Sequence, residues 1–190
     1  MYNVNKSRST EYAERTRQAI TWVPARDRPL PDTLKQKPTV ASEKLKWLQR
    51  HDKNCGALCS MFPLERGMRV ILQDHLDQNP KKQLLRGRVG YLEDWVLHAE
   101  ETSRFENGQR ILKRPPKVVF VRFRELVGAG AAAQWEDCKW VVGDLPPGVY
   151  PVRPWKRTWY LGQERKVPML GVSREQLPLA PTFATTAHAS

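Results

Sequence analysis

The chain has 190 residues, 40% of them hydrophobic and 27% charged, which is enough for one ordinary domain with a real core and excludes both two large domains and wholesale disorder. No apolar run approaches the roughly 20 residues that cross a bilayer, and the opening Met1-Tyr2-Asn3-Val4-Asn5-Lys6 has no apolar signal core, so an intracellular protein with no membrane partner is expected. The net charge of +12 points to a polyanion as partner, because clustered Lys and Arg concentrate nucleic acid and release its counterions on contact.

In chain order, Thr10 to Ile20 reads as a short helix and is followed by a stretch punctuated by Pro24, Pro29, Pro31 and Pro38. Proline lacks the N–H that regular structure needs, so residues 1–40 are expected to be a flexible, linker-like region. Ala41 to His51 reads as another short helix, with Ser42 as a cap and Leu45, Trp47 and Leu48 as its apolar side. Met68 to Leu72 is a strand entered through Gly67, and Asp74 to Lys82 a charged loop. Gly87 to His98 is the next strand, with Val89, Tyr91, Trp95 and Leu97 toward a core. Glu100 to Arg114 is polar and predicts a hairpin-like loop.

Lys117 to Phe123 alternates, with Val119, Val121 and Phe123 on one face. Gly128 to Ala133 is low in complexity and predicts a flexible insert. Trp140–Val142, Tyr150–Val152, Thr158–Leu161 and Met169–Val172 follow as short strands, and Leu177 to Ser190 reads as a strand leading toward a helix. Many short strands at close spacing predict a small, curved sheet or barrel. The fold class expected is α+β and β-rich.

Gly67, Gly87 and Gly90 suit turns and barrel corners. Arg86, Arg88, Lys81 and Lys82 border one such turn and are candidates for tracking a phosphate backbone. Arg153, Lys156 and Arg157 interleave with Trp155, Trp159 and Tyr160, a mixture that suits single strands because aromatic faces stack on any base while cations hold phosphates; aromatic residues at strand spacing also suit a core. His51, Cys55 and Cys59 are a loose ligand pattern whose fourth member would have to be His75 or Cys138, and no metal is expected. No order of Ser, His and Asp or of Cys and His predicts a nucleophile.

Three blocks in order, Phe62 to Leu72, Leu84-Leu85-Arg86-Gly87-Arg88-Val89-Gly90-Tyr91, and Arg174 to Ser190, resemble the C-terminal motor lobe of Pif/RecD-type DNA helicases of superfamily 1B. The middle block is similar to the family's Asn-Gly-x-x-Gly turn, with Arg86 in place of Asn. The last block resembles the opening of its Thr-x-His-x-x-Gln-Gly motif, with Ala189 where many relatives carry Lys. The resemblance implies a partial second RecA-like domain at 41–85, an inserted SH3-like (Src-homology-three type) β-barrel at 86–173, and a return strand at 174–190 that stops short of the motif's Gln-Gly. It implies Thr186, His188 and Ser190 on the nucleic acid; Arg86, Arg88, Arg157 and Trp159 join them as candidates from the pattern of cations and aromatic residues itself. Phosphate contacts of this kind position a strand without reading its bases.

The partners implied are single-stranded DNA or RNA and an N-terminal ATPase lobe of the same protein, in the nucleus. The sequence contains no Gly-x-x-x-x-Gly-Lys-Ser/Thr loop, so Mg-ATP belongs to the full-length family, no cofactor is expected in this chain, and no ATP turnover is expected of it alone. Two alternatives are a stand-alone basic barrel that binds nucleic acid and a non-functional remnant of a helicase gene.

Overall fold

Prolines early in the chain end strands instead of preventing them. The computed structural model describes residues 2–17, 19–161 and 170–182. Helix α1, Tyr2–Thr16, begins before the expected Thr10 and stops where Arg17 takes φ of +53°. The chain then enters β1, Thr21–Pro24, and β2, Arg26–Pro29. Val23 is fully buried, and Ile20 and Trp22 pack with Ala13 of α1, so the linker-like reading of 1–40 is corrected for this stretch. Each strand closes on a proline, where a missing N–H costs little. Pro31 then opens helix α2, Pro31–Gln36, a position at which its fixed φ favours the helix.

A 3-10 turn at Pro38–Glu43 runs into α3, Lys44–Trp47, shorter than the helix expected over 41–51. Ser42 Oγ donates to the Thr39 carbonyl at 2.7 Å and caps nothing. Leu45 is 79% exposed while Trp47 is buried, so the apolar side expected of this helix reduces to Trp47 and the half-buried Leu48.

Strands β3, Met61–Leu64, β4, Arg69–Leu72, and β5, Val89–Val96, follow. Gly67 and Gly87 have φ of +75° and +91°, the turn role expected of them. On β5 the expected inward set is half right. Gly90 and Leu92 face inward up to a bulge between Leu92 and Asp94, where the register with the next long strand shifts. The extra residue reverses the alternation, which is how Leu92 and Trp95 both reach the main core. A Cβ on Gly90 would lie 2.5 Å from Val121 Cγ1, so that approach requires glycine.

The expected hairpin within 100–114 is β6, Arg104–Glu106, and β7, Gln109–Ile111, joined by Asn107-Gly108 with φ of +51° and +74°, the left-handed pair that a two-residue turn demands. β8, Val118–Val127, buries Val119, Val121 and Phe123 as expected. After the short 3-10 turn Gly130–Ala132 comes β9, Gln134–Asp137, then β10, Val149–Val152, β11, Trp155–Leu161, β12, Leu170–Gln176, and β13, Leu179–Pro181. Trp140–Val142 is not a strand; Trp140 instead packs its ring against Phe123 and Tyr150.

These strands form a sheet ordered β3-β1-β7-β6, one ordered β10-β8-β5-β4-β13 with β9 extending β8, and one ordered β11-β12-β2. β13 returns to β4, with Leu179 opposite Leu72, so the first and third sequence blocks lie side by side. The main core joins Val23 and Phe62 of the first sheet to Val70, Leu92 and Val121 of the next; Val40, Trp47, Cys55, Trp159 and Val172 form a separate cluster. Among the described residues no helix is long and apolar enough to cross a membrane.

Gly148, with φ of +74°, would place a Cβ 2.9 Å from the carbonyl oxygens of Cys138 and Phe123, whereas Gly87 faces open space. Gly148→Ala is therefore expected to lower stability by about 2 kcal/mol and Gly87→Ala by about 1 kcal/mol, a ranking that denaturant midpoints will read.

Candidate nucleic-acid interface

Strand alternation divides β11 into two faces. Trp159, on the inner one, is 3% exposed and lies edge-on to Trp47 with ring centroids 5.8 Å apart. Arg50 and Arg174 sit over its ring at 5.2 and 5.8 Å. The expected stacking role of Trp159 is thereby corrected: the indole is buried against Trp47 and two guanidinium groups and offers no open face to a base. Arg157, on the same face, is ion-paired to Asp74 and donates to the Gly56 carbonyl at 3.0 Å, so its guanidinium is a tie between β11 and two loops.

Lys156, Thr158 and Tyr160 point the other way and are exposed. Directly opposite residues of antiparallel strands share a face, and the register sets Lys156 opposite Glu175, Thr158 opposite Ser173, and these two opposite Arg26 and Arg28. The outer face of the three-stranded sheet is thus a polar, cationic surface carrying one exposed aromatic ring. Arg26 is held 3.6 Å from Glu175. At the far end of this face Gly171 makes room for Leu30, which packs over it: a Cβ there would meet Leu30 Cδ1 at 2.6 Å and the Tyr160 ring at 3.4 Å.

Glu175 also lines a groove of about 530 Å³ together with His98, Lys117, Val118, Arg153 and Pro154. The groove and the sheet face are therefore continuous. Lys117, Arg153, Lys156 and Arg28 are exposed and form no ion pair with another described residue. Some cations elsewhere on the surface are neutralised. Arg122 binds Glu93 at 2.6 Å and Asp137 at 2.7 Å, and Arg124 binds Asp137 at 3.0 Å; the Glu93 hydrogen bond raises the already high pKa of Arg122 further.

Of the other expected contacts, Arg88 donates to the Arg124 carbonyl at 3.0 Å, which anchors it beside β8. Arg86 is exposed, its backbone N–H donating to His75 Nδ1 at 3.2 Å. Thr186, His188 and Ser190 lie outside the described residues. Arg28 and Lys117 were missed by sequence reasoning; the alternation of Trp155, Arg157 and Trp159 against Lys156 and Tyr160 was the available signal for the exposed parity.

No group of three or more metal-ligating side chains occurs among the described residues. Cys55, Cys59 and Cys138 are free and buried, and burial raises the pKa of each, which suppresses the thiolate that metal binding or nucleophilic attack requires. Glu65 is 1% exposed, neither carboxylate oxygen has a hydrogen-bond partner, and burial pushes its pKa up to about 7. It does not line the groove, so its energetics belong to folding.

No protein-family model matches the chain, and no curated protein does. A solved structure similar to it is that of the Pif1 helicase from Candida albicans, at 17% identity and a TM-score of 0.42, an alignment that covers 96% of this chain. The chain spans 33% of the length of that protein.

Proposed function

We propose that the chain binds single-stranded nucleic acid along the groove and the outer face of the three-stranded sheet, as part of the strand-handling lobe of a Pif/RecD-type DNA helicase. The observation that carries the binding is the continuity of Lys117 and Arg153 with Lys156 and Arg28, four cations without anionic partners among the described residues, beside the exposed Tyr160. Cations spaced along a groove track phosphates, and an exposed ring stacks on whichever base passes. Support for the lobe comes from the three ordered sequence blocks and from β13 lying against β4, as a strand returning from an insertion would. On this reading the RecA-like element and the inserted barrel share these sheets, Thr186, His188 and Ser190 continue the strand's path, and magnesium-bound ATP is held by another part of the protein.

The test is a titration of the purified chain with fluorescent single-stranded DNA at several salt concentrations, beside an ATPase assay. Four phosphate contacts predict that log K falls with log salt with a slope of about −3, and no ATP turnover is expected. Replacing Lys117, Arg153 and Lys156 together by Ala should weaken binding at low salt about a hundredfold and flatten the slope by about 0.7 for each cation removed. Unchanged affinity in that folded variant overturns the assignment of this surface.

A further inference from the structure

Another cavity, of about 190 Å³, opens beside the first sheet, between Trp22, Leu48, Met61 and Ile111 on its apolar walls and Arg104, Glu106, Asn107 and Gln109 at its polar side. We infer that it takes a single unstacked nucleobase; this occupant rests on the strand-binding reading above. The volume lies below the roughly 300–1,000 Å³ of sites for drug-sized molecules, which restricts the occupant to one small ring system. The walls suit a flat apolar ring: an indole, a thioether and two branched aliphatic side chains. The polar side suits the edge of a base. Trp22 Nε1 donates to Gln109 Oε1 at 2.8 Å, which fixes that amide and leaves its Nε2 hydrogens as donors. Asn107, exposed at the left-handed hairpin turn, brings both a donor and an acceptor.

Placement gives an independent argument. Pro24 lines this cavity and Arg26 stands on the cationic sheet face, two residues further along the chain and hence at most about 7 Å away between Cα atoms. A strand whose phosphates follow Lys156 and Arg28 along that face passes Arg26 and so comes within one nucleotide's reach of the opening. Duplex bases are stacked and paired, so only a single strand, or an end, presents a base that can enter. The cavity would therefore make the surface selective for unpaired strands, a property that cations alone do not confer.

The test uses the full chain with its indole N–H groups labelled with nitrogen-15, titrated with deoxyadenosine, which carries a base and a sugar but no phosphate. The expected result is a saturable shift of the indole resonance that disappears in Trp22→Phe, and loss of that shift in Ile111→Trp, which fills the cavity from one wall. Leu48→Trp fills it from another wall and serves if Ile111→Trp does not fold. An oligonucleotide should bind either filled variant about tenfold more weakly than the parent with its salt slope unchanged. No shift in the folded parent, or a shift that persists in the filled variants, overturns the inference. A chain that takes deoxyadenosine but binds no oligonucleotide at low salt keeps the base site and sinks the strand-binding reading instead.

Discussion

Asp27→Asn is expected to destabilise the chain by about 3–5 kcal/mol, read as a drop in the midpoint of urea unfolding at unchanged slope. Arg174 is fully buried, and all five of its N–H donors are engaged. Nε and Nη2 bind the Asp27 carboxylate at 2.9 and 2.7 Å, Nη2 also binds the Trp47 carbonyl at 3.0 Å, and Nη1 binds the Leu58 carbonyl at 3.2 Å and Ser60 Oγ at 3.1 Å. One guanidinium thus ties β12 to β2, to the end of α3 and to the segment before β3. Burial opposes its charge, but the hydrogen bonds and charge of Asp27 outweigh this and raise its pKa above the ordinary value. Removing the carboxylate's charge leaves a desolvated cation uncompensated, which is far costlier than losing a surface pair. Replacing both partners, as Asp27→Leu with Arg174→Met, should recover much of the loss. A drop below about 1 kcal/mol for Asp27→Asn would mean that water reaches the pair and that the sheet β11-β12-β2 is looser than its geometry implies.

The other large effect depends on pH. Glu65 has an ordinary pKa of 4.5, raised in the folded chain to about 7 by burial. Below pH 4.5 both folded and unfolded chains hold the proton, and this group does not tilt the balance. Between pH 4.5 and about 7 the folded chain keeps a proton that the unfolded chain has released, so stability falls as pH rises. Above pH 7 the loss levels off at about 3 kcal/mol, at about 1.4 kcal/mol per unit. Tyr12 of α1 feels the same site: burial raises its phenol, the Glu65 charge pushes it the same way, and Arg15 opposes. Glu65→Met should therefore stabilise the chain at pH 8 by about 2–3 kcal/mol and remove the decline between pH 5 and 8 seen in urea midpoints. A variant profile parallel to that of the parent would assign the pH dependence to another group.

Local chemistry was legible where one element carries its own reason. β8 could be read from its alternation alone, because Val119, Val121 and Phe123 leave a single face to bury. The hairpin at Asn107-Gly108 follows from the left-handed geometry those two residues tolerate. The bulge in β5 was not legible, since an extra residue changes no composition and shows itself only against a partner strand. The early strands were hidden by their prolines, which mark strand ends as readily as linkers.

For the candidate interface, sequence alone determined that the protein is strongly basic and that β11 has two unlike faces. It could not tell which face meets solvent, and so Trp159 and Arg157 looked as available as Lys156 and Tyr160. Tertiary structure decided this, because the inner face is selected by Trp47, by Asp74 and by the Arg174 pair with Asp27, 147 residues away in sequence. Alternation records only that two faces differ; burial is a property of what the rest of the chain brings against them.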